Sequence, residues 1–93
     1  EIGWDDVGSW TSLARFRKRD AGGNVLQGKN MITMDLEGCI FETQGDRLVA
    51  AIGLKDVIYV ETDDVTLICA KDRAQDVKKI LEKLQKEGKK EYA

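Results

Sequence analysis

The spacing of hydrophobic residues changes after residue 19, and this change predicts a short helix followed by a series of strands. Residues 9–19 place Trp10, Leu13, Ala14 and Phe16 at the three-to-four spacing of one helix face. From residue 25 to residue 70, short apolar runs alternate with turns rich in Gly, Asp and Asn, which predicts five or six strands. The clearest of these runs are 31–34, 39–43, 48–52, 57–60 and 65–69.

The regular spacing of the predicted strands is typical of a sandwich, a barrel or a parallel β-helix. Periodicity does not distinguish these three folds, because each is built from short strands joined by turns. Residues 20–24, Asp-Ala-Gly-Gly-Asn, carry the strongest turn signal of the chain. We therefore expect a structural boundary there, between the short helix and the strands.

A second helix, over residues 73–87, is predicted to cover an open end or face of the β structure. Asp72 and Gln75 have the spacing of a capping box at its start, and Gly88 ends it. Its apolar stripe recurs at i, i+3, i+4 and i+7. The stripe consists of Val77, Ile80, Leu81 and Leu84.

Two groups of basic residues each allow two interpretations. The group at the end of the first helix is either a phosphate-binding cluster or a solvated helix end, and it contains Arg15, Arg17, Lys18 and Arg19. The group on the last helix and the tail is either a partner-binding surface or a solvated face. It contains Lys78, Lys79, Lys83, Lys86, Lys89 and Lys90.

Composition limits the class of protein. With 93 residues, 42% hydrophobic and 34% charged, the chain is at most one small globular domain, and its net charge of −2 gives no nucleic-acid-binding signature. The apolar runs are too short for a membrane span, and the N-terminus lacks the pattern of a signal peptide. A cytoplasmic location is the default expectation.

The absence of histidine excludes a His general base, a Ser-His or Cys-His pair and an imidazole metal ligand within this chain. Cys39 and Cys69 lie in apolar surroundings without the spacing of a metal or redox motif. We expect both thiols to be buried, reduced and slow to react.

The first ten residues combine two tryptophans, two carboxylates and a glycine, a mixture that neither helix nor strand periodicity requires. One interpretation is a shaped loop in which a carboxylate walled by aromatic rings holds a hard cation such as Mg²⁺. The other is a helix start, in which Asp5, Asp6 or Ser9 caps the segment that follows and the tryptophans pack on a core. The residues alone leave both open.

Four blocks of sequence, taken in order, extend over almost the whole chain. They are residues 4–10 (WDDVGSW), residues 20–28 (with Asp20, Gly23-Asn24-Val25 and Gly28), residues 48–56 (LVAAIGLKD) and residues 71–78 (KDRAQDVK). Together they resemble the C-terminal part of the mannose-1-phosphate guanylyltransferase family of sugar-nucleotide pyrophosphorylases.

The resemblance implies an enzyme that transfers guanylyl from GTP to mannose 1-phosphate, giving GDP-mannose and pyrophosphate. It implies that residues 1–19 end the nucleotidyltransferase catalytic domain. It implies a mainly β fold for residues 20–93: a left-handed parallel β-helix-like domain of short strands with a C-terminal capping α-helix, which supports a homodimer.

The resemblance also implies site residues. Asp6 matches the acid of the first block and is implied as a ligand of Mg²⁺, while Asp5 occupies a variable position and inherits no role. Trp4, Gly8 and Trp10 are implied as walls of the site. No nucleotide-binding residue can be assigned, since the glycine-rich loop and the sugar-phosphate lysine of the family have no counterpart here. GTP and mannose 1-phosphate would bind through a missing N-terminal domain, so we expect the chain alone to be an inactive C-terminal piece.

A second hypothesis comes from another class of protein: a non-catalytic β-helix module for dimerisation or binding. It is motivated by the β-rich middle of the chain and by the lack of a complete site. The two hypotheses are compatible, because one domain can support assembly and also lend a residue to a catalytic site.

Overall fold

The computed structural model describes residues 18–89 and shows six strands followed by a helical segment. The strands are β1 (Val25–Gln27), β2 (Met31–Met34), β3 (Ile40–Thr43), β4 (Val49–Ile52), β5 (Val57–Glu61) and β6 (Thr66–Ala70). A 3₁₀ helix, Lys71–Asp76, leads directly into α1, Val77–Lys86. The five predicted strands are confirmed to within a residue or so. Most of the predicted first helix lies outside the described residues, and Lys18 and Arg19 belong to neither helix nor strand.

The first five strands form stacked parallel coils. Sheet A contains β1, β3, β5 and β6 in that order, and sheet B contains β2 and β4. Met31 pairs with Val49 in sheet B, and Ile40 pairs with Ile58 in sheet A, each 18 positions further along the chain. On a third side, a parallel bridge joins Glu37 to Lys55, again 18 positions apart. The strands β1 and β3 pair at a shorter distance, Val25 with Ile40, 15 positions apart. Parallel pairing that repeats on three sides is the arrangement of a parallel β-helix rather than a sandwich or a closed barrel.

Apolar side chains fill the space inside the coils. Cys39, Phe41 and Val49 are buried there, together with Leu36. The rings of Phe41 and Tyr59, which are in register on β3 and β5, stack with centroids 5.1 Å apart and planes 20° apart. Each coil therefore contributes a layer to one continuous interior, which a single coil could not bury.

The central strands of sheet A, β3 and β5, are buried on both faces. On the face away from the coil interior, Val25, Ile40 and Ile58 stand in register on the three parallel strands. The helical segment covers this face with Ala74 and Val77, which belong to the same buried cluster. Burial on both faces explains why the apolar residues of β3 and β5 come in near-continuous runs.

The corner between sheet B and the next strand of sheet A requires two residues with positive φ in each coil. The first is Asp35 (φ 58°) in one coil and Gly53 (φ 69°) in the next, 18 positions later. The second is Gly38 (φ 62°) and then Asp56 (φ 54°). Glycine and aspartate tolerate positive φ better than most residues do. The same corner is therefore built from Asp followed by Gly in one coil and from Gly followed by Asp in the next.

The expected capping box does not form. The backbone N–H of Lys71 donates to the carbonyl of Asp56 at 2.8 Å, so the chain turns directly from β6 into the 3₁₀ helix. Ala70 is the N-cap of that helix and no side chain caps it, and Asp72 lies within the helix. The Asp72 prediction was therefore wrong, because the β6 connection leaves no separate N-cap residue.

The predicted apolar stripe is only partly buried. Val77 is buried, Leu81 and Leu84 are half-buried, and Ile80 is 43% exposed. The helical segment therefore contacts the sheet mainly through Ala74 and the first turn of α1.

The predicted end of this helix at Gly88 is confirmed. Gly88 has φ 74°, and the N–H of Lys89 donates to the Leu84 carbonyl at 2.8 Å, as in a Schellman motif.

Candidate functional site

The first corner of the β-helix is held by a buried asparagine. Asn24 is 4% exposed, its Nδ2 donates to the Leu36 carbonyl at 2.9 Å, and its Oδ1 accepts from the Cys39 N–H at 2.8 Å. Both partners belong to the next coil, so one side chain joins two coils through buried hydrogen bonds. The predicted turn at residues 20–24 is confirmed, since the N–H of Gly23 donates to the Asp20 carbonyl at 3.0 Å.

Asp20 completes this corner from the surface side. Its Oδ1 accepts hydrogen bonds from the backbone N–H groups of Gly22 and Asn24, each at 2.9 Å. The backbone bond from Asn24, helped by its side-chain amide and by the bond from Gly22, holds the pKa of the Asp20 carboxyl below its usual value, despite partial desolvation. Asp20 is therefore a structural carboxylate in the charged form.

Gly28, in the second sequence block, lies where two coils approach each other closely. A Cβ placed on Gly28 would collide with the Oγ1 atom of Thr43, a buried residue of the neighbouring coil. The backbone can pass at this point only because the residue has no side chain.

The last block joins the helical segment to the coils. The ammonium of Lys71 donates to the Gly38 carbonyl at 2.8 Å. Arg73 donates to Asp76, and this contact lowers the pKa of the Asp76 carboxyl, which Lys79 also approaches at 3.4 Å. Ala74 is buried against sheet A. The described parts of the sequence blocks therefore stabilise the fold rather than present reactive groups.

Glu61, at the end of β5, has a carboxylate in which only one of the two oxygens has a partner among the described residues. Its side chain is 5% exposed, and Oε2 accepts from the Tyr59 hydroxyl at 3.3 Å and faces the Arg47 guanidinium at 3.8 Å. Oε1 is buried and has no partner among the described residues. Burial, and then the charge of Glu61, raise the pKa of Tyr59 above its usual value. Sequence reasoning missed this cluster, since only the fold brings Arg47 to the end of β5.

The outer face of sheet B carries exposed apolar side chains. Ile32 is 64% exposed, Met34 58% and Ile52 65%, whereas the alternate residue Val49 is buried. A sheet with one wet face usually presents polar residues there. The period-two pattern of the strands could have indicated this face, but it does not tell which of two apolar faces points inward.

The residues predicted for a metal site are not among those the structure describes. Asp6, Trp4, Gly8 and Trp10 lie outside residues 18–89, so their arrangement stays a prediction. Within that range, no three Cys, Asp or Glu side chains converge to hold a metal ion.

The two basic groups lie on the surface as far as they are described. Lys18 and Arg19 are exposed, and so are the lysines of α1 and of the turn that follows it. Lys89 approaches Glu87 at 3.6 Å, and no described lysine of this group is buried against an acidic partner. These observations agree with the solvated-face interpretation without testing partner binding.

The two cysteines differ in their surroundings. Cys39 is fully buried in the coil interior, as predicted, whereas Cys69 is only partly buried on β6, and neither forms a disulfide. Burial raises the pKa of the Cys69 thiol above its usual value, although the nearby Arg73 lowers it in part. The expectation of two buried thiols was therefore wrong for Cys69, because β6 lies at the edge of sheet A. The reactivity of both thiols stays a prediction.

None of the helices in the described part of the chain combines the length and the apolar character needed to span a membrane.

Comparison with known proteins agrees with this architecture. Residues 29–84, more than half of the chain, match the family model of the MannoseP isomerase/GMP-like beta-helix domain. The chain belongs to this family. A β-helix domain is also what the parallel coils of residues 25–61 show independently.

Relatives of this β-helix family member include large enzymes. A putative mannose-1-phosphate guanylyltransferase of Vibrio cholerae is 44% identical over 99% of this chain, and the alginate biosynthesis protein AlgA of Pseudomonas aeruginosa is 43% identical over 96%. The chain spans only 19% and 18% of these two relatives. A crystal structure of mannose-1-phosphate geranyltransferase from Thermus thermophilus superposes with a TM-score of 0.66 and 31% identity, covering 87% of this chain and 24% of that one.

Proposed function

We propose that this chain is the β-helix part of a mannose-1-phosphate guanylyltransferase, which joins GTP and mannose 1-phosphate to give GDP-mannose and pyrophosphate. The observation that carries the proposal is 44% identity over 99% of the chain to a relative of that name, of which the chain spans 19%. The groups that bind nucleotide and sugar phosphate would lie in the part of the enzyme that this chain does not cover. The chain alone would then be inactive.

The boundary between the two parts would fall at residue 20. In support, among the described residues, the corner that Asp20 and Asn24 form is hydrogen-bonded to the coil at Leu36. Residues 1–19 would then end the catalytic domain.

The coils would wind in the left-handed sense. This is supported by the 18-residue repeat that links β2 to β4, β3 to β5 and Glu37 to Lys55, which gives six residues per side, the hexapeptide type of β-helix.

Asp6 would be the contribution of this chain to the chemistry. Its carboxylate would supply one oxygen to Mg²⁺, a hard cation that usually takes one or two carboxylates from the protein and the rest of its ligands from phosphates and water. Such an ion neutralises phosphate charge and orients the reacting groups of an in-line displacement. Trp4, Gly8 and Trp10 would wall the site and exclude water, while the coils give the segment a rigid support.

The test is a pair of substitutions in the full-length enzyme. We predict that Asp6→Asn lowers the rate of GDP-mannose formation by about 100-fold or more, the effect of losing one charged group from a transition-state site, and raises the Mg²⁺ concentration needed for half-maximal rate. Asp5→Asn is the matched control, since the adjacent acid is given no role and should leave both quantities near their wild-type values. Equal effects of the two substitutions would contradict the assignment of Asp6.

A second role in assembly is favoured by exposed apolar residues elsewhere on the surface. Ile68 on β6 is 68% exposed and Ile80 on α1 is 43% exposed, so apolar side chains on both elements are available for contact with a second copy. A homodimer held through the β-helix would use such residues. Sedimentation of the Asp6→Asn enzyme separates the roles, because a dimer should persist when turnover is lost.

The biosynthetic names of the relatives support a cytoplasmic site of action for the whole enzyme.

A further inference from the structure

The two central strands of sheet A end in polar side chains that face the coil interior. Phe41 and Tyr59, in register on β3 and β5, stack inside the coils. Thr43 and Glu61 lie two positions further along the same strands and are in register with each other. Because the side chains of a strand alternate between its two faces, Thr43 and Glu61 face the interior as well. A hydroxyl and a carboxylate therefore lie on neighbouring strands beside an apolar core.

Both residues are enclosed by the fold. Thr43 is 6% exposed and Glu61 is 4% exposed. The backbone of Gly28 covers Thr43 from the first coil, so closely that a Cβ on Gly28 would collide with Thr43 Oγ1. The Glu61 Oε1 atom is buried, and none of the described residues donates a hydrogen bond to it. A donor that reaches Oε1 must therefore be small enough to lie inside the coils.

The contacts of Glu61 leave its buried oxygen in need of such a donor. Oε2 accepts from the Tyr59 hydroxyl at 3.3 Å and faces Arg47 at 3.8 Å. The Arg47 side chain is 78% exposed, so its charge is shared with solvent and approaches the carboxylate from the surface side. A buried carboxylate is costly unless its oxygens are paired or hydrogen-bonded, because nothing else replaces the hydration that it has lost.

We propose that Glu61 Oε1 and the Thr43 hydroxyl bind one buried water molecule between them. Neighbouring strands lie about 4.8 Å apart. Two successive hydrogen bonds of about 2.8 Å span up to about 5.6 Å, so one water has the size needed to join the two side chains. The water donates one hydrogen to Oε1, and a threonine hydroxyl can either donate to it or accept from it. Buried waters typically bind polar groups that would otherwise lack a partner.

The water connects the coil interior to a surface corner. With Oε1 held by the water, Oε2 stays directed at Tyr59 and Arg47. Arg47 belongs to the corner between β3 and β4, which is three residues longer than the corner between β1 and β2. The pairing distance accordingly grows from 15 positions for Val25 with Ile40 to 18 positions for Met31 with Val49. The buried carboxylate and its water therefore anchor the longest corner of the coils.

A crystal structure of the full-length protein, at a resolution that shows ordered water, tests the proposal without reference to activity. We expect one water within hydrogen-bond distance of both Glu61 Oε1 and Thr43 Oγ1. A side chain in that position, an Oε1 atom in direct contact with the Thr43 hydroxyl, or a water that touches only one of the two groups would overturn the proposal.

Substitution of the hydroxyl gives a second test, in solution. Thr43→Val keeps the shape of the side chain and removes one ligand of the water. The ¹⁷O magnetic relaxation dispersion of the solvent, which reports long-lived bound water, should lose the contribution of one water molecule. Thr33→Val is the matched control, because Thr33 is half-buried on β2 and pairs with Ala51, which has no polar side chain. It should leave the dispersion unchanged. An equal dispersion for wild type and Thr43→Val would contradict the proposed site.

Discussion

At the scale of single residues, Asn24 is the side chain on which the first coil most depends. Replacing it with alanine would leave the Leu36 carbonyl and the Cys39 N–H buried without their partner. We predict that Asn24→Ala lowers the free energy of unfolding by about 3 kcal/mol, since an unsatisfied buried group costs about 1–3 kcal/mol. Urea unfolding measures the effect.

Asn30→Ala is the control for this substitution. Asn30 is exposed and its side chain donates a hydrogen bond to the Asp46 carbonyl at 3.1 Å, so its loss should cost less than about 0.5 kcal/mol. Similar losses for Asn24 and Asn30 would mean that the inter-coil hydrogen bonds do not stabilise the fold.

The stability of the same corner should depend on pH through the Asp20 carboxyl group. Its pKa in the folded chain is lowered by hydrogen bonds from Asn24 and Gly22. The carboxylate therefore contributes stability above the unfolded-state pKa of about 3.9, and loses it as the pH falls through the lower folded-state value. We predict that Asp20→Asn is less stable than the wild type near neutral pH, and that the difference disappears in the acid range. A difference that stayed constant with pH would contradict this account of the turn.

At the scale of elements, the helical segment is attached to sheet A by its first turns. Val77 is 4% exposed within the cluster of Val25, Ile40 and Ile58, whereas Ile80, one turn later, is 43% exposed. We predict that Val77→Ala lowers the free energy of unfolding by about 2 kcal/mol, through lost burial and the cavity left behind.

Ile80→Ala removes more carbon atoms from an exposed position and should cost less than about 1 kcal/mol. Thermal unfolding of the two variants compares them directly. A larger loss for Ile80 would show that α1 lies along the sheet over its whole length, contrary to the structure.

Much of the element order could be predicted from the sequence, for a physical reason. The turn at residues 20–24 and Gly88 were recognisable because particular backbone conformations favour Gly, Asp and Asn. The strands were recognisable as short apolar runs bounded by such turns. Their assembly was not recognisable. Met31 pairs with Val49 through an 18-residue repeat, but the corner residue is Asp35 in one coil and Gly53 in the next, so the repeat is not visible from residue identity.

The parts that failed are those decided by tertiary contacts. Asp72 has the spacing of a capping residue, but the hydrogen bond from Lys71 to Asp56 starts the helical segment earlier. Ile80 continues the stripe of Val77, but it is 43% exposed and lies outside the buried cluster that contains Val77. Glu61 and Arg47 meet only because the coils stack, so no local pattern could indicate their contact.

At the scale of the whole molecule, the described residues build a support rather than a reaction centre. The recognisable blocks of sequence within residues 18–89 hold corners, allow coils to approach and attach the helical segment. Under the proposed function, the groups that act on a phosphate would belong to the first ten residues and to the part of the enzyme that this chain does not cover.

The central claim is that this chain is the β-helix part of a mannose-1-phosphate guanylyltransferase. The most direct measurement is the formation of GDP-mannose from GTP and mannose 1-phosphate with Mg²⁺, by the full-length protein encoded by the reading frame that contains this sequence, and by the 93-residue chain alone. We expect product from the full-length protein and none from the chain alone. The proposed function would be wrong if the full-length protein formed no GDP-mannose, and so would the assignment of a partial site if the chain formed it unaided.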